Sequence, residues 1–419
     1  MATAKDLLTF IKESPSAFHV ISNMEKELSI AGFHYLPEGH KWDIQYGESY
    51  YTKRNDTSLI AWRMPEKEAR GFHIAAAHSD SPAFLVKENP EVAGGQYIRL
   101  NTEKYGGMIL STWLDRPLSV AGRVSIAGEN GVESRLVHID RDLLVIPSLA
   151  IHMERKLNAG YEYNAQKDML PIFTEKEGKS FRELVAEYAG VEPDEILGQE
   201  LYLYVRDEGH IIGRDEEWLM SPRLDDLQCV YGILQGLKSK KPSEYISMAA
   251  IFHNEEVGST TRQGADSTFL SDVLAWIGEA LGMGDGERRR MIVGSFLISA
   301  DNAHGVHPAH KEKADPTNQP VLNGGVVIKF HGNQKYTSDA MTAGTLRLLC
   351  KEAGISSQTY HNRSDIAGGS TLGNISVSHV SVPSVDIGLA QLAMHSAMET
   401  AGSRDLDDFI RLLTVYYGK

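Results

Sequence analysis

The chain has 419 residues, more than one hydrophobic core usually organises, so two domains are expected. Its composition, 42% hydrophobic and 23% charged, is that of a globular protein, and no apolar stretch is long enough to span a bilayer. The 56 acidic and 42 basic residues leave a net charge of −14 without any long basic stripe, which argues against nucleic acid as a partner. The start, MATAKDLLTFIKESPSAFHV, has no secretory pattern, and the 2 cysteines cannot build a disulfide framework, so a cytoplasmic setting is expected.

In chain order, DLLTFIKE and then, beyond a break at Ser14-Pro15, AFHVISNMEKELSIAGF carry apolar residues three and four apart and predict helices. Strands follow around YYTKRNDTSLIAWRM and GFHIAAAH. From about residue 89, short pieces such as YIRLNTE, GMILST, AGRVSIAG, SRLVHID and LYLYVRD alternate with Gly- and Asn-containing turns, a mainly β pattern. Near residue 218 the helix–strand alternation resumes with RLDDLQCVYGILQGLKSK, YISMAAIFHN, STFLSDVLAWIGEALG, IVGSFLISAD, VVIKF, TSDAMTAGTLRLLCKEAG and HVSVPSVDIG, and SRDLDDFIRLLTVYYGK closes as a helix. The expected fold class is α/β: a mixed, mostly parallel sheet flanked by helices, built from residues 1–88 and 218–419 and interrupted by a β-rich insert over 89–217.

Three apolar runs stop at residues that can bind a metal. FHIAAA (72–77) leads to His78 and Asp80, ISMAAIFHN (246–254) to Glu255 and Glu256, and MIVGSFLISA (291–300) to Asp301. Such runs read as strands buried on both faces, and sheets of this kind bind ligands beyond the carboxyl ends of their strands. Several carboxylates gathered there cannot all stay ionised without a cation, so a metal centre is the natural occupant.

Each residue also has a plainer reading. A lone histidine at a strand exit is usually structural, but Asp80, two residues beyond His78, can accept its second ring N–H and fix the tautomer. Asp225 and Asp226 open a helix, where aspartate is commonly a cap; Asp226 reads as that cap and Asp225 as a bridging ligand. Glu255 and Glu256, adjacent after a buried strand, divide into a general base and a metal ligand. His395, after the apolar GLAQLA, is the remaining plausible imidazole, while His304 and His307 can be ligands, supporting donors or loop residues.

The charges close. Asp225, Glu256, Asp301 and a bridging hydroxide balance two divalent cations, with His78 and His395 completing nitrogen–oxygen spheres that zinc accepts. Manganese and cobalt tolerate the same ligation. Competing signatures are missing: no H-E-x-x-H, no G-x-S-x-G, and Phe173 where a phosphate loop ending in Gly178-Lys179-Ser180 requires glycine. The Gly368-Gly369-Ser370-Thr371 stretch reads as a glycine-rich turn.

With these residues in hand, the chain resembles the aspartyl aminopeptidase family of co-catalytic metallopeptidases. FIKESPSAFHV, AHSDSP, TWLDRPLSVAGRV, LAIHMER, SPRLDDL, FHNEEVGS, ISADNAHGVHP, DIAGGSTLGNI and VDIGLAQLAMHS carry the resemblance along nearly the whole sequence. It implies two zinc ions, one held by His78 and Asp301, the other by Glu256 and His395, with Asp225 bridging and Glu255 as base. It further implies removal of the first residue, Asp or Glu, from peptides with a free amino terminus, the alternatives being a preference for neutral first residues or a carboxypeptidase or deacylase on the same fold. His304, Lys329 and Tyr336 fall at substrate-site positions, and His152 at a position that reaches into a neighbouring subunit's site. The insert is then a dimerisation domain, and dimers build a homo-oligomer, a dodecamer.

Overall fold

The computed structural model describes residues 2–176, 178–369 and 371–419, and among these the strands form three sheets. The largest has nine strands in the order His34–Tyr35, Ser49–Arg54, Ser58–Arg63, Ile246–Phe252, Phe72–His78, Phe296–Ala300, Ser384–Gly388, Val326–Phe330 and Ser357–His361. Four neighbours at its centre, from Ile246–Phe252 to Ser384–Gly388, run parallel. The strands flanking these four are antiparallel to them, which makes the sheet mixed.

The central strands are unbroken apolar runs because both faces are covered. Ile74 and Ala76 join one core with Phe269, Val273 and Ile277 of the Phe269–Ala280 helix. Ala75 and Ala77 point the other way, into a core with Val230, Leu234, Phe409 and Leu413 from the Leu224–Ser239 and Asp405–Tyr417 helices. With no solvated face there is no polar alternation to preserve. The two helices touch so closely that a Cβ on Gly232 would lie 2.5 Å from the Phe409 ring.

Three local expectations need correction. Met291, Ile292 and Val293 finish the Asp285–Val293 helix, and the strand starts only at Phe296, because Gly294 and Ser295 separate the two. GMILST contains no strand: Leu110–Trp113 is a single helical turn, with the Thr112 hydroxyl donating to the Ile109 carbonyl at 2.7 Å and Trp113 buried edge-on against Phe84. Only Ser384–Gly388 of HVSVPSVDIG is a strand, since Leu372–His379 is a helix and Pro383 offers no backbone donor.

The six-stranded sheet, ordered Gly131–His138, Leu118–Gly128, Gly198–Val205, Ala83–Gly94, Tyr97–Tyr105 and Ile172–Glu175, is antiparallel throughout. It has its own core, with Phe84, Leu118, Val120, Leu201 and Leu203 packed beside Phe181, Leu184 and Val185 of the Phe181–Ala189 helix. Arg123 ties it to the rest of the molecule, donating to the Asn55 carbonyl at 3.1 Å and side chain at 3.0 Å and lying over the Phe18 ring. The third sheet joins His210–Ile212, Trp218–Ser221, Glu399–Gly402, Ala390–Leu392 and Ala303–His304, and the loop between two of its strands carries His395. Among the described residues no helix is long and apolar enough to cross a membrane.

Candidate metal centre

The ends of the parallel strands bring distant residues together. His78, Asp225, Asp226 and Asp301 present ligand atoms within 4.8 Å of one another, as do Asp225, Glu256 and His395, and likewise His78, Glu255 and Glu256. Asp225 thus belongs to the group containing His78 and Asp301 and to the group containing Glu256 and His395. Its Oδ1 stands 3.5 Å from His78 Nε2 and its Oδ2 3.5 Å from His395 Nε2, which is also 3.4 Å from Glu256 Oε2.

Both imidazoles are set with Nε2 facing the cluster. His78 Nδ1 lies 3.1 Å from the Asp80 backbone carbonyl, and His395 Nδ1 lies 2.7 Å from the Gly107 carbonyl, so each ring donates from Nδ1. The Asp80 carboxylate, expected to orient His78, stands farther from that ring at 3.5 Å. It instead accepts the Tyr105 hydroxyl at 2.7 Å and the backbone N–H groups of Glu255 and Glu256 at 3.3 and 3.2 Å. Burial opposes its charge, but the His78 ring, the nearby His253 and the Tyr105 hydroxyl win and hold the carboxyl below its usual range.

The donors fit a divalent cation. Asp225 Oδ1, Asp226 Oδ1 and Glu256 Oε1 are buried and accept no hydrogen bond from the described residues. A bare carboxylate oxygen in such a place is costly unless a positive charge faces it. The spacings of 3.4 and 3.5 Å exceed the ~2.7–2.9 Å of charge-assisted hydrogen bonds. They approach the ~3.3–3.4 Å edge of a tetrahedron whose ligands stand ~2.0–2.1 Å from zinc. Without a cation the carboxylates oppose one another: burial, then the Asp225 charge, pushes Glu256 well up, and burial moves Asp301 up despite the nearby Lys329.

Two buried acids depart from expectation: Asp226, expected as a helix cap, and Glu399, for which the motifs predict nothing. Asp226 does not cap the helix through its side chain: its Oδ1 accepts no hydrogen bond from the described residues, and its Oδ2 accepts the His78 backbone N–H at 3.2 Å. Glu399 accepts the backbone N–H of Asp225 at 2.9 Å and of His395 at 2.7 Å, holding two donors of one group in register. Burial raises its carboxyl to about 8. No local motif marks Glu399, since its partner Asp225 lies 174 positions away.

The expected substrate-site residues divide. Tyr336 is buried, and the Lys329 ammonium lies over its ring, 5.2 Å from the centroid. Lys329, only 2% exposed, donates to the Asp301 carbonyl at 2.7 Å and sits 3.7 Å from the Asp301 carboxylate, so its charge is engaged at the strand end. His304 is exposed, its ring 6.0 Å from Tyr360. His152 joins none of the three groups and lies on an exposed turn of the insert. Within the glycine-rich turn the Gly368 carbonyl accepts Lys335 at 2.9 Å, and Ser370 lies outside the described residues.

Known proteins share this arrangement of sheets. The sequence profile of the family described as Aminopeptidase I zinc metalloprotease (M18) matches residues 10–417. A curated protein of Clostridium novyi (strain NT), named "Probable M18 family aminopeptidase 2", is 45% identical over 415 residues, covering 96% of this chain and 95% of its own. Among solved structures, that of the Ape4 and Nbr1 complex superposes with a TM-score of 0.96 at 34% identity, covering 99% of this chain and 85% of that one. The S. cerevisiae mApe1 dodecamer gives 0.86 at 25% identity, covering 99% and 96%. Fold and profile together define a zinc metallopeptidase, a hydrolase. More narrowly, the chain belongs to the M18 aminopeptidases, the aspartyl aminopeptidase family.

Proposed function

We propose that the chain is a two-metal aminopeptidase that removes Asp or Glu from the free amino terminus of peptides. Its strongest support is the membership of Asp225 in two donor groups, His78 and Asp301 on one side and Glu256 and His395 on the other. When bound, the two cations supply Lewis-acid polarisation of the scissile carbonyl and acidify the attacking water. Glu255 takes the water's proton on its carboxylate and returns it to the leaving amine. Without a cation, burial, with the Asp301, Asp80 and Asp225 charges adding to it, moves that carboxyl to about 8 against the opposing pull of His78. With cations bound it falls toward the ionised form that a base requires. Asp80 holds the Glu255 and Glu256 backbone, fixing the direction in which each side chain leaves the turn.

Preference for acidic residues is supported by Lys329, the buried cation beside Asp301 and Tyr336. The engagement of that ammonium by the Asp301 and Asn302 carbonyls favours the alternative, a preference for neutral residues. Zinc is the proposed ion. The insert is proposed as a dimerisation domain, with His152 serving a neighbouring subunit within a dodecamer; exposed Leu149, Ile151 and Met153 around it, and the dodecameric relative, support this. A cytoplasmic setting is supported by Cys229 and Cys350 both being free thiols.

Metal analysis combined with Asp, Glu, Leu and Lys anilides tests the proposal. Two ions per chain and fastest release from Asp or Glu are expected. One ion per chain would remove the shared-carboxylate centre, and faster Leu release would establish the neutral alternative.

A further inference from the structure

Three consecutive residues at the end of the Tyr97–Tyr105 strand reach the metal centre from the six-stranded sheet. The Tyr105 hydroxyl donates to Asp80 Oδ2 at 2.7 Å and accepts Asn254 Nδ2 at 2.9 Å. Gly106, at φ +77, lies so close to Glu256 that a Cβ there would sit 3.1 Å from Glu256 Cβ. The Gly107 carbonyl accepts His395 Nδ1 at 2.7 Å. The next turn continues the contact, with the Ile109 N–H donating to the His395 carbonyl at 3.0 Å and the Thr112 hydroxyl accepting the Ala397 N–H at 2.9 Å.

We propose that Tyr105, Gly106 and Gly107 are positioning residues of the metal centre, through which the insert orients donors of both ions within its own chain. This role presupposes the two-ion centre proposed above. His395 sits on a loop at φ +66 and is half-buried. The Gly107 carbonyl fixes the tautomer that leaves Nε2 free for an ion. On the other side Asp80 serves the peptide N–H groups of Glu255 and Glu256 and approaches the His78 ring. The Tyr105 hydroxyl holds that carboxylate in place. Position 106 favours glycine on two grounds: φ +77 is left-handed, and side-chain bulk would press on Glu256.

The test compares Tyr105→Phe and Gly106→Ala with Tyr202→Phe. Tyr105→Phe keeps the ring and its packing on Tyr202, 5.5 Å between centroids, but removes the donor to Asp80. Zinc affinity is read by competition with a chromophoric chelator, the ligand field by the visible spectrum of the cobalt-loaded protein, and turnover as separate kcat and KM. Tyr105→Phe is expected to bind zinc about 10–100-fold more weakly, with an altered cobalt spectrum and a fall in kcat larger than any change in KM. Gly106→Ala, an independent variant, should weaken the ion held by Glu256 and His395. Tyr202→Phe should match the wild type, and an equal loss there would assign the effect to packing and overturn the role of the Tyr105 hydroxyl. A wild type that binds two ions, with both test variants matching its affinity and spectrum, overturns this inference alone. A wild type that binds fewer than two ions overturns the two-metal reading beneath it.

Discussion

Replacing Glu255 with glutamine keeps its size and its backbone bond to Asp80 while abolishing proton uptake at the side chain. Glu255→Gln should therefore retain both ions and lose about 10²–10⁴-fold in kcat, checked by metal analysis beside steady-state kinetics. Full activity would remove Glu255 as the base. The acids at strand ends were readable because a buried apolar run stopping at a carboxylate is physically odd wherever it occurs. Glu399 and Asp226 were not, because what distinguishes them is burial against partners far away in sequence, and an isolated Glu in AMETAGSR looks like any surface acid. Lys329 came to notice only through the family resemblance, and its engagement with the Asp301 carbonyl reaches from the Val326–Phe330 strand past Ser384–Gly388 to the end of Phe296–Ala300, an order that only the folded sheet reveals.

At the scale of elements, the Ala17–Ile30 helix meets the six-stranded sheet through two histidines. His19 Nδ1 lies 2.8 Å from the Ser16 hydroxyl, and its ring stands edge-on to His138, 5.4 Å between centroids. Burial first, then the His138, Lys26 and Arg223 charges, lowers His19 from 6.5 to about 3. The unfolded chain therefore takes up the proton first as pH falls. Stability from this group is whole above about 6.5 and drains away as pH drops toward 3. His19→Gln should flatten the fall in Tm between pH 7 and 5 relative to the wild type; parallel Tm profiles would exclude His19 as the source. Neither histidine announces this junction in the sequence, since the contact joins residues 19 and 138. The elements themselves were more legible. Continuous burial made the central strands stand out, whereas Met291–Val293 and GMILST misled because a short apolar run has no period that separates strand from helical turn.

For the whole molecule, the exposed turn carrying His152 between Ile151 and Met153 is the place to ask whether neighbouring chains complete the site. His152→Ala should lower kcat while leaving metal content and sedimentation unchanged; full activity in an intact assembly would dismiss a contribution across subunits. A change in sequence texture suggests an interrupted layout, but it gives no sign of the contact at Tyr105, Gly106 and Gly107, which carries the six-stranded sheet to the donors of the proposed centre. One consequence reaches beyond these contacts. In the two-ion centre proposed above, a single carboxylate, Asp225, faces both pairs of donors, so that loading of the two positions would be thermodynamically linked. Whatever factor the first ion imposes on the affinity of the second must act equally in the reverse order. The protein's response to metal supply is then that of one linked unit, whose half-filled form is set by the sign and size of that coupling rather than by two separate affinities.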